Sequence, residues 1–130
     1  IIIKLFINVI ILKITYFKIK IKMKIAVFVS GKGTSIKCIC DAINYDILNI
    51  QDLLVISNNN SFSIKDENIK YKLCEWKKET NTREEYEDSL IDILNKYDPY
   101  LIVLAGWNHI FGKKLISNFK NIINMHPSIT

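Results

Sequence analysis

Short runs of unbroken apolar residues, each closed by Gly, Ser or Asn, constrain this chain more than any other feature. The clearest are Ile25-Ala26-Val27-Phe28-Val29, Asp52-Leu53-Leu54-Val55-Ile56 and Tyr100-Leu101-Ile102-Val103-Leu104, and Ile122-Ile123-Asn124 is a shorter fourth. Runs of this length rich in β-branched residues read as strands, and the lack of polar alternation reads as burial on both faces. Helical patterns lie between them. Ile36, Ile39, Cys40 and Ile43 share one helix face, with Thr34 or Ser35 as the predicted N-cap. Thr82 followed by Glu85 is a capping box, and Leu90, Ile91 and Leu94 carry a helix to Tyr97, where Asp98-Pro99 stops it. Residues 112–119 read as a short helix. Lys70-Tyr71-Lys72-Leu73-Cys74 alternates and reads as a strand near a sheet edge, and residues 61–68 are polar, either loop or a short helical turn. Strands alternating with helices imply an α/β fold with a doubly wound, mainly parallel sheet. Ligands of such sheets bind beyond the carboxyl ends of the strands, where the loops 30–35, 57–60, 105–109 and 124–128 fall.

Residues 1–22, IIIKLFINVIILKITYFKIKIK, do not share this pattern. Lysines interrupt the run before it reaches the ~20 apolar residues of a membrane span. It lacks the small-residue cleavage site of a secretory signal and the Arg/Ser richness of a transit peptide. It reads as an extension outside the domain, with an organellar targeting peptide as the alternative. Residues 23–130 are then one domain.

The net charge is +5, yet residues 1–40 hold no acid and the rest intersperses acids with Lys, which argues against a nucleic-acid face. The three cysteines, Cys38, Cys40 and Cys74, have no metal or disulfide spacing and read as inert thiols of a reducing cytosol, with no metal expected. Arg83 is the one arginine in a Lys-dominated chain. Its planar fork suits a carboxylate or a packed ion pair, and a plain exposed charge is the alternative.

Two stretches carry candidate chemistry. Ser30-Gly31-Lys32-Gly33-Thr34-Ser35 joins a strand to a helix, where glycines allow close approach and the helix N-terminus favours an anion. A dinucleotide fingerprint would place a third glycine where Ile36 stands, and the nucleotide-hydrolase loop is absent. The loop is either a single-phosphate cradle or a structural turn. In Asn124-Met125-His126-Pro127-Ser128, Asn124 and His126 are two apart at a strand end and so face the same way. An Asn amide can hold an oxyanion and an imidazole can move a proton near neutral pH. The alternative is an ordinary strand end with a solvent-facing His.

Together these motifs resemble the phosphoribosylglycinamide formyltransferase family. The residues that carry the resemblance are Ser30 to Ser35, Ser57-Asn58, Thr82-Arg83-Glu84-Glu85-Tyr86, Leu104-Ala105-Gly106-Trp107 and Asn124 to Ser128, in family order over residues 24–130. The resemblance implies a Rossmann-like formyltransferase fold, of which this would be the N-terminal part. It implies formyl transfer from 10-formyltetrahydrofolate, as co-substrate and without a metal, to the amine of glycinamide ribonucleotide in purine biosynthesis. It implies small-molecule partners, no membrane and a cytoplasmic location, and leaves the oligomeric state unknown. By carry-over, the phosphate would lie on the loop of Gly31, Gly33, Thr34 and Ser35. Asn124 and His126 would be catalytic. Arg83, Gly106, Trp107, Asn108, His109, Ile110 and Phe111 would line the folate side. Where the family commonly shows Met-Arg, this chain has Asn108-His109. The family's essential aspartate would lie beyond Thr130, so the 130 residues alone are expected to be inactive. Another folate-dependent formyltransferase or a formyltetrahydrofolate hydrolase is the alternative within the enzymes, and a non-catalytic phosphate-binding α/β fragment the alternative outside them.

Overall fold

Apolar side chains that alternate along a strand must be covered on both sides, and in the computed structural model of this chain they are. The structure describes residues 8, 9, 11, 23–45, 50–66, 69–109 and 111–125. In order they form β1 (Met23–Val29), α1 (Thr34–Asn44), β2 (Ile50–Ser57), β3 (Ile69–Leu73), α2 (Arg83–Tyr97), β4 (Leu101–Ala105), α3 (Lys113–Asn118) and β5 (Ile122–Met125). Among the described residues the sheet has five strands in the order β3-β2-β1-β4-β5, and every pairing is parallel. The sequence-based α/β, parallel, doubly wound reading is the observed architecture.

Burial sorts by parity. Ile25, Val27 and Val29 of β1 join Leu53, Val55, Leu101, Val103 and the α1 residues Ile36, Ile39 and Cys40 in one core. Ala26 and Phe28 join Leu54, Ile56, Ile102 and Leu104 in the other, under Tyr86, Leu90 and Leu94 of α2 and Leu115 of α3. Each fully buried aliphatic side chain contributes about 1.5–3 kcal/mol relative to exposure. β4 is buried at all five positions, as a central parallel strand requires. β3 lies at the edge with four of its five residues exposed. Val9 and Ile11 of the N-terminal stretch pack, partly buried, against the first core.

The capping box is complete: Glu85 N–H donates to Thr82 Oγ1 at 3.1 Å, and Thr82 N–H donates to Glu85 Oε1 at 2.9 Å. At the other end Asp98 takes a left-handed backbone, φ 55°, and its N–H donates to Leu94 O. One expectation is corrected. The N-cap of α1 is Gly33, not Thr34 or Ser35, and no side chain caps it. Gly33 has φ 93°, and a Cβ there would lie 2.4 Å from the Phe62 ring, so the turn is set by packing from the 62–64 segment rather than by a hydroxyl. Residues 62–66 form no helical turn.

β1 and β4 are adjacent although β2 and β3 intervene in sequence. The chain reverses direction across the sheet there, and the crevice at their carboxyl ends is where such folds hold ligands.

Candidate active site

The strand ends deliver their loops to one edge of the sheet. The Ser30–Ser35 loop leaves β1, and its last residues open the eleven-residue helix α1. The first N–H groups of a helix have no intrahelical acceptor and carry the positive end of its dipole. No acidic residue occupies this first turn to compete for an anion. Gly31 has open space around its Cα, whereas Gly33 is tight against Phe62.

Beside this loop is a pocket of about 230 Å³ lined by Trp76, Arg83, Tyr86, Glu87, Leu90, Trp107, Asn108, His109 and Phe111. Five of the seven residues the sequence assigned to the folate side, Arg83, Trp107, Asn108, His109 and Phe111, therefore share one cavity. Gly106 is beside it at φ 75°, a conformation glycine adopts without strain. Ile110 and His126 lie outside the described residues. Asn124 is exposed on β5, in register with Leu104 of β4.

The pocket is built on aromatics. Phe28 meets Trp107 and Phe111 edge to face, with ring centroids 5.1 Å apart in both pairs. His109 sits among Trp76, Tyr86 and Trp107 at centroid distances of 5.5, 5.8 and 5.6 Å, each nearly edge-on. Burial, and then the charges of Lys78 and Arg83, lower its pKa below the usual imidazole value, so it is neutral at pH 7. Tyr86 Oη donates to Cys74 O at 2.5 Å, which fixes the ring that backs the pocket, and burial raises its pKa. Trp107 Nε1 is buried without a partner among the described residues.

Arg83 is paired. Its Nε donates to Glu87 Oε2 at 3.3 Å, one helical turn on, so the ion-pair reading of the lone arginine describes this contact. Glu87 in turn accepts from Gly112 N. The three thiols have raised pKa values from burial, Cys40 to about 11, and are protonated at neutral pH.

The glycine loop and the pocket meet at one junction. Asn108 Oδ1 accepts from Ser30 Oγ at 2.9 Å and from Asn58 Nδ2 at 2.6 Å. Asn108 N–H donates back to Ser30 Oγ at 2.9 Å, and Ser30 N–H donates to Gly106 O at 3.2 Å. Sequence reasoning did not assign Trp76, Tyr86, Glu87, Leu90, Ser30 or Asn58 to the site. Tyr86 and Leu90 could have been found, since they lie three and seven residues after Arg83 on the helix. Trp76 had no local signal.

This arrangement has relatives. The chain is 34% identical over 122 residues to phosphoribosylglycinamide formyltransferase of Dictyostelium discoideum, covering 81% of this chain and 59% of that protein. The solved phosphoribosylglycinamide formyltransferase of Coxiella burnetii superposes with a TM-score of 0.71 at 31% identity, covering 80% of this chain and 51% of that one. Glycinamide ribonucleotide transformylase 1 of Geobacillus kaustophilus superposes with a TM-score of 0.73 at 25% identity, covering 84% and 60%. The chain thus spans a little over half the length of the relatives it matches. The family model described as formyl transferase matches residues 23–130, from the first residue of β1 onward. With its parallel sheet, its glycine turn and its pocket at the β1–β4 crevice, the chain belongs to the formyl transferase family.

Proposed function

We propose that the chain is the N-terminal part, residues 23–130, of a phosphoribosylglycinamide formyltransferase, with residues 1–22 an extension outside its formyltransferase domain. The reaction moves a formyl group from 10-formyltetrahydrofolate to glycinamide ribonucleotide in purine biosynthesis, in the cytoplasm. The observation that carries this reading is the convergence of Arg83, Trp107, Asn108, His109 and Phe111 on one pocket hydrogen-bonded to the glycine loop. The likeness to named phosphoribosylglycinamide formyltransferases supports it.

In this reading the ribonucleotide phosphate lies on the N–H groups of Gly33, Thr34 and Ser35, with Gly31 giving it room. The aromatic walls take the folate ring. The substrate amine attacks the formyl carbon; a C–N bond forms, and the carbonyl electrons move onto oxygen. Asn124 donates to that oxyanion, and His126 moves the proton from the attacking nitrogen toward the departing one. The bond from the formyl carbon to the folate nitrogen breaks, and tetrahydrofolate leaves carrying the proton. Holding both substrates in line supplies much of the acceleration.

The test is formation of tetrahydrofolate in the presence of glycinamide ribonucleotide by the protein expressed through its natural reading frame. Asn124→Ala and His126→Ala are each expected to lower kcat by about 10²–10³. The 130 residues alone are expected to bind ligand without turnover. An active protein indifferent to both substitutions, or a longer protein with no activity, overturns the reading.

A further inference from the structure

The amide of Asn108 is oriented by a chain of hydrogen bonds whose direction is fixed at its source. Ser61 N–H, a backbone group that can only donate, donates to Asn59 Oδ1 at 2.8 Å. Asn59 must then present Nδ2, which donates to Asn58 Oδ1 at 3.1 Å and to Ser30 O at 2.6 Å. Asn58 must in turn present Nδ2, and it donates to Asn108 Oδ1. A second route gives the same answer. Asn108 N–H donates to Ser30 Oγ, so the Ser30 hydroxyl proton is left to donate to Asn108 Oδ1. Both routes commit the oxygen of Asn108 inward. Its Nδ2 has no acceptor among the described residues, and Asn108 is an exposed lining residue of the aromatic pocket.

We propose that Asn108 is a specificity residue. Its Nδ2 is presented to the pocket as a donor and reads an acceptor atom, a carbonyl oxygen or ring nitrogen, of the ligand held between Trp76 and Trp107. Asn58 is a positioning residue, buried to about nine-tenths, that sets which end of the Asn108 amide faces out. This rests on the formyl-transfer reading, in which that ligand is the folate co-substrate. A network of this kind costs little to keep polarised, because every inward atom is paired before the ligand arrives.

The experiment titrates the protein, expressed through its natural reading frame, with 10-formylfolic acid. Tryptophan emission is the readout, since both tryptophans of the chain line the pocket. Asn108→Asp keeps the inward acceptor and replaces the outward donor with an acceptor. It is expected to weaken binding about tenfold, the loss of one hydrogen bond with a mismatched partner. The loss is expected to persist in about 0.5 M salt, where repulsion between exposed charges is screened. Its thermal midpoint and its affinity for ribose 5-phosphate should stay near those of the parent. Asn108→Leu should weaken binding to a similar extent. Asn58→Asp cannot donate and sets a carboxylate oxygen against Asn108 Oδ1, opposing the orientation that the Ser30 hydroxyl alone still holds. It should therefore weaken the same ligand by less than Asn108→Asp, although residue 58 does not line the pocket. In the parent, the Asn108 side-chain amide resonances should shift on addition of ligand. Parent-like affinity in Asn108→Asp overturns the proposal alone; a parent protein that does not bind the folate overturns the functional reading with it. If Asn58→Asp does not fold, the two Asn108 variants still decide the matter.

Discussion

Glu87 holds Gly112: the Gly112 N–H points at both carboxylate oxygens, at 3.1 and 2.9 Å, across twenty-five residues of sequence. Glu87, 9% exposed, thereby ties Gly112, the N-cap residue of α3, to α2. A negative group at a helix N-terminus is favourable, and this one also receives Arg83. The shape of the pocket follows from this tie, because Trp107, Asn108, His109 and Phe111, just before Gly112, are one wall of it.

Glu87→Ala should therefore destabilise the chain by about 1 kcal/mol, the cost of leaving a half-buried N–H without its partner. Gly112→Ala should destabilise by a similar route, since a Cβ there would sit 2.6 Å from Glu87 Oε1 and push the carboxylate off. Urea unfolding checks both, and a double variant should cost less than the sum of the two.

The two glycines of the phosphate loop should behave differently. Gly33→Ala must place an L-residue at φ 93° against the Phe62 ring, and should cost at least about 1–2 kcal/mol and weaken ribose 5-phosphate binding. Gly31→Ala meets no atom within 4 Å and should change stability by no more than about 0.5 kcal/mol. Paired unfolding and phosphate titrations would separate them, and equal effects would remove the role given to the Gly33 backbone.

His109 should titrate below the usual imidazole range because burial, Lys78 and Arg83 all disfavour its cation. The folded state then binds fewer protons than the unfolded state between the two pKa values. Its contribution is fully present above the unfolded pKa, about 6.5, and is lost as pH falls through the folded one. NMR titration of the ring protons should show the lowered pKa directly. His109→Gln should flatten that part of the stability–pH curve.

Val9 and Ile11 are partly buried against the first core, so removing residues 1–22 should cost up to about 1 kcal/mol for each of these two side chains. A chain beginning at Met23 should keep a single cooperative thermal transition with a modestly lower midpoint. Loss of that transition would make the extension part of the fold.

Much of the fold was legible because its causes are local. Period-two burial along Ile25–Val29, the reciprocal Thr82–Glu85 cap and the apolar stripe of Leu90, Ile91 and Leu94 depend on residues within a few positions of each other. The alternation of strand and helix then led to a parallel sheet and put the functional loops at one edge. Resemblance pointed to Trp107, Asn108, His109 and Phe111, yet it could not say that they form a wall with Trp76 and Tyr86.

What the sequence by itself determined is the set of elements, their order and the residue types that reach the carboxyl edge of the sheet. What only the tertiary structure decided is which of them touch. Gly33 caps α1 because Phe62, twenty-nine residues away, fills the space a Cβ would need. Asn108 faces the pocket nitrogen-first because Ser30 and Asn58, seventy-eight and fifty residues away, hold its oxygen. These contacts follow from the strand order β3-β2-β1-β4-β5, which sets β1 between β2 and β4 and brings three loop ends to one point. Hydrogen bonds act over about 3 Å, so their partners are chosen by packing in space and leave no spacing in the chain from which to read them.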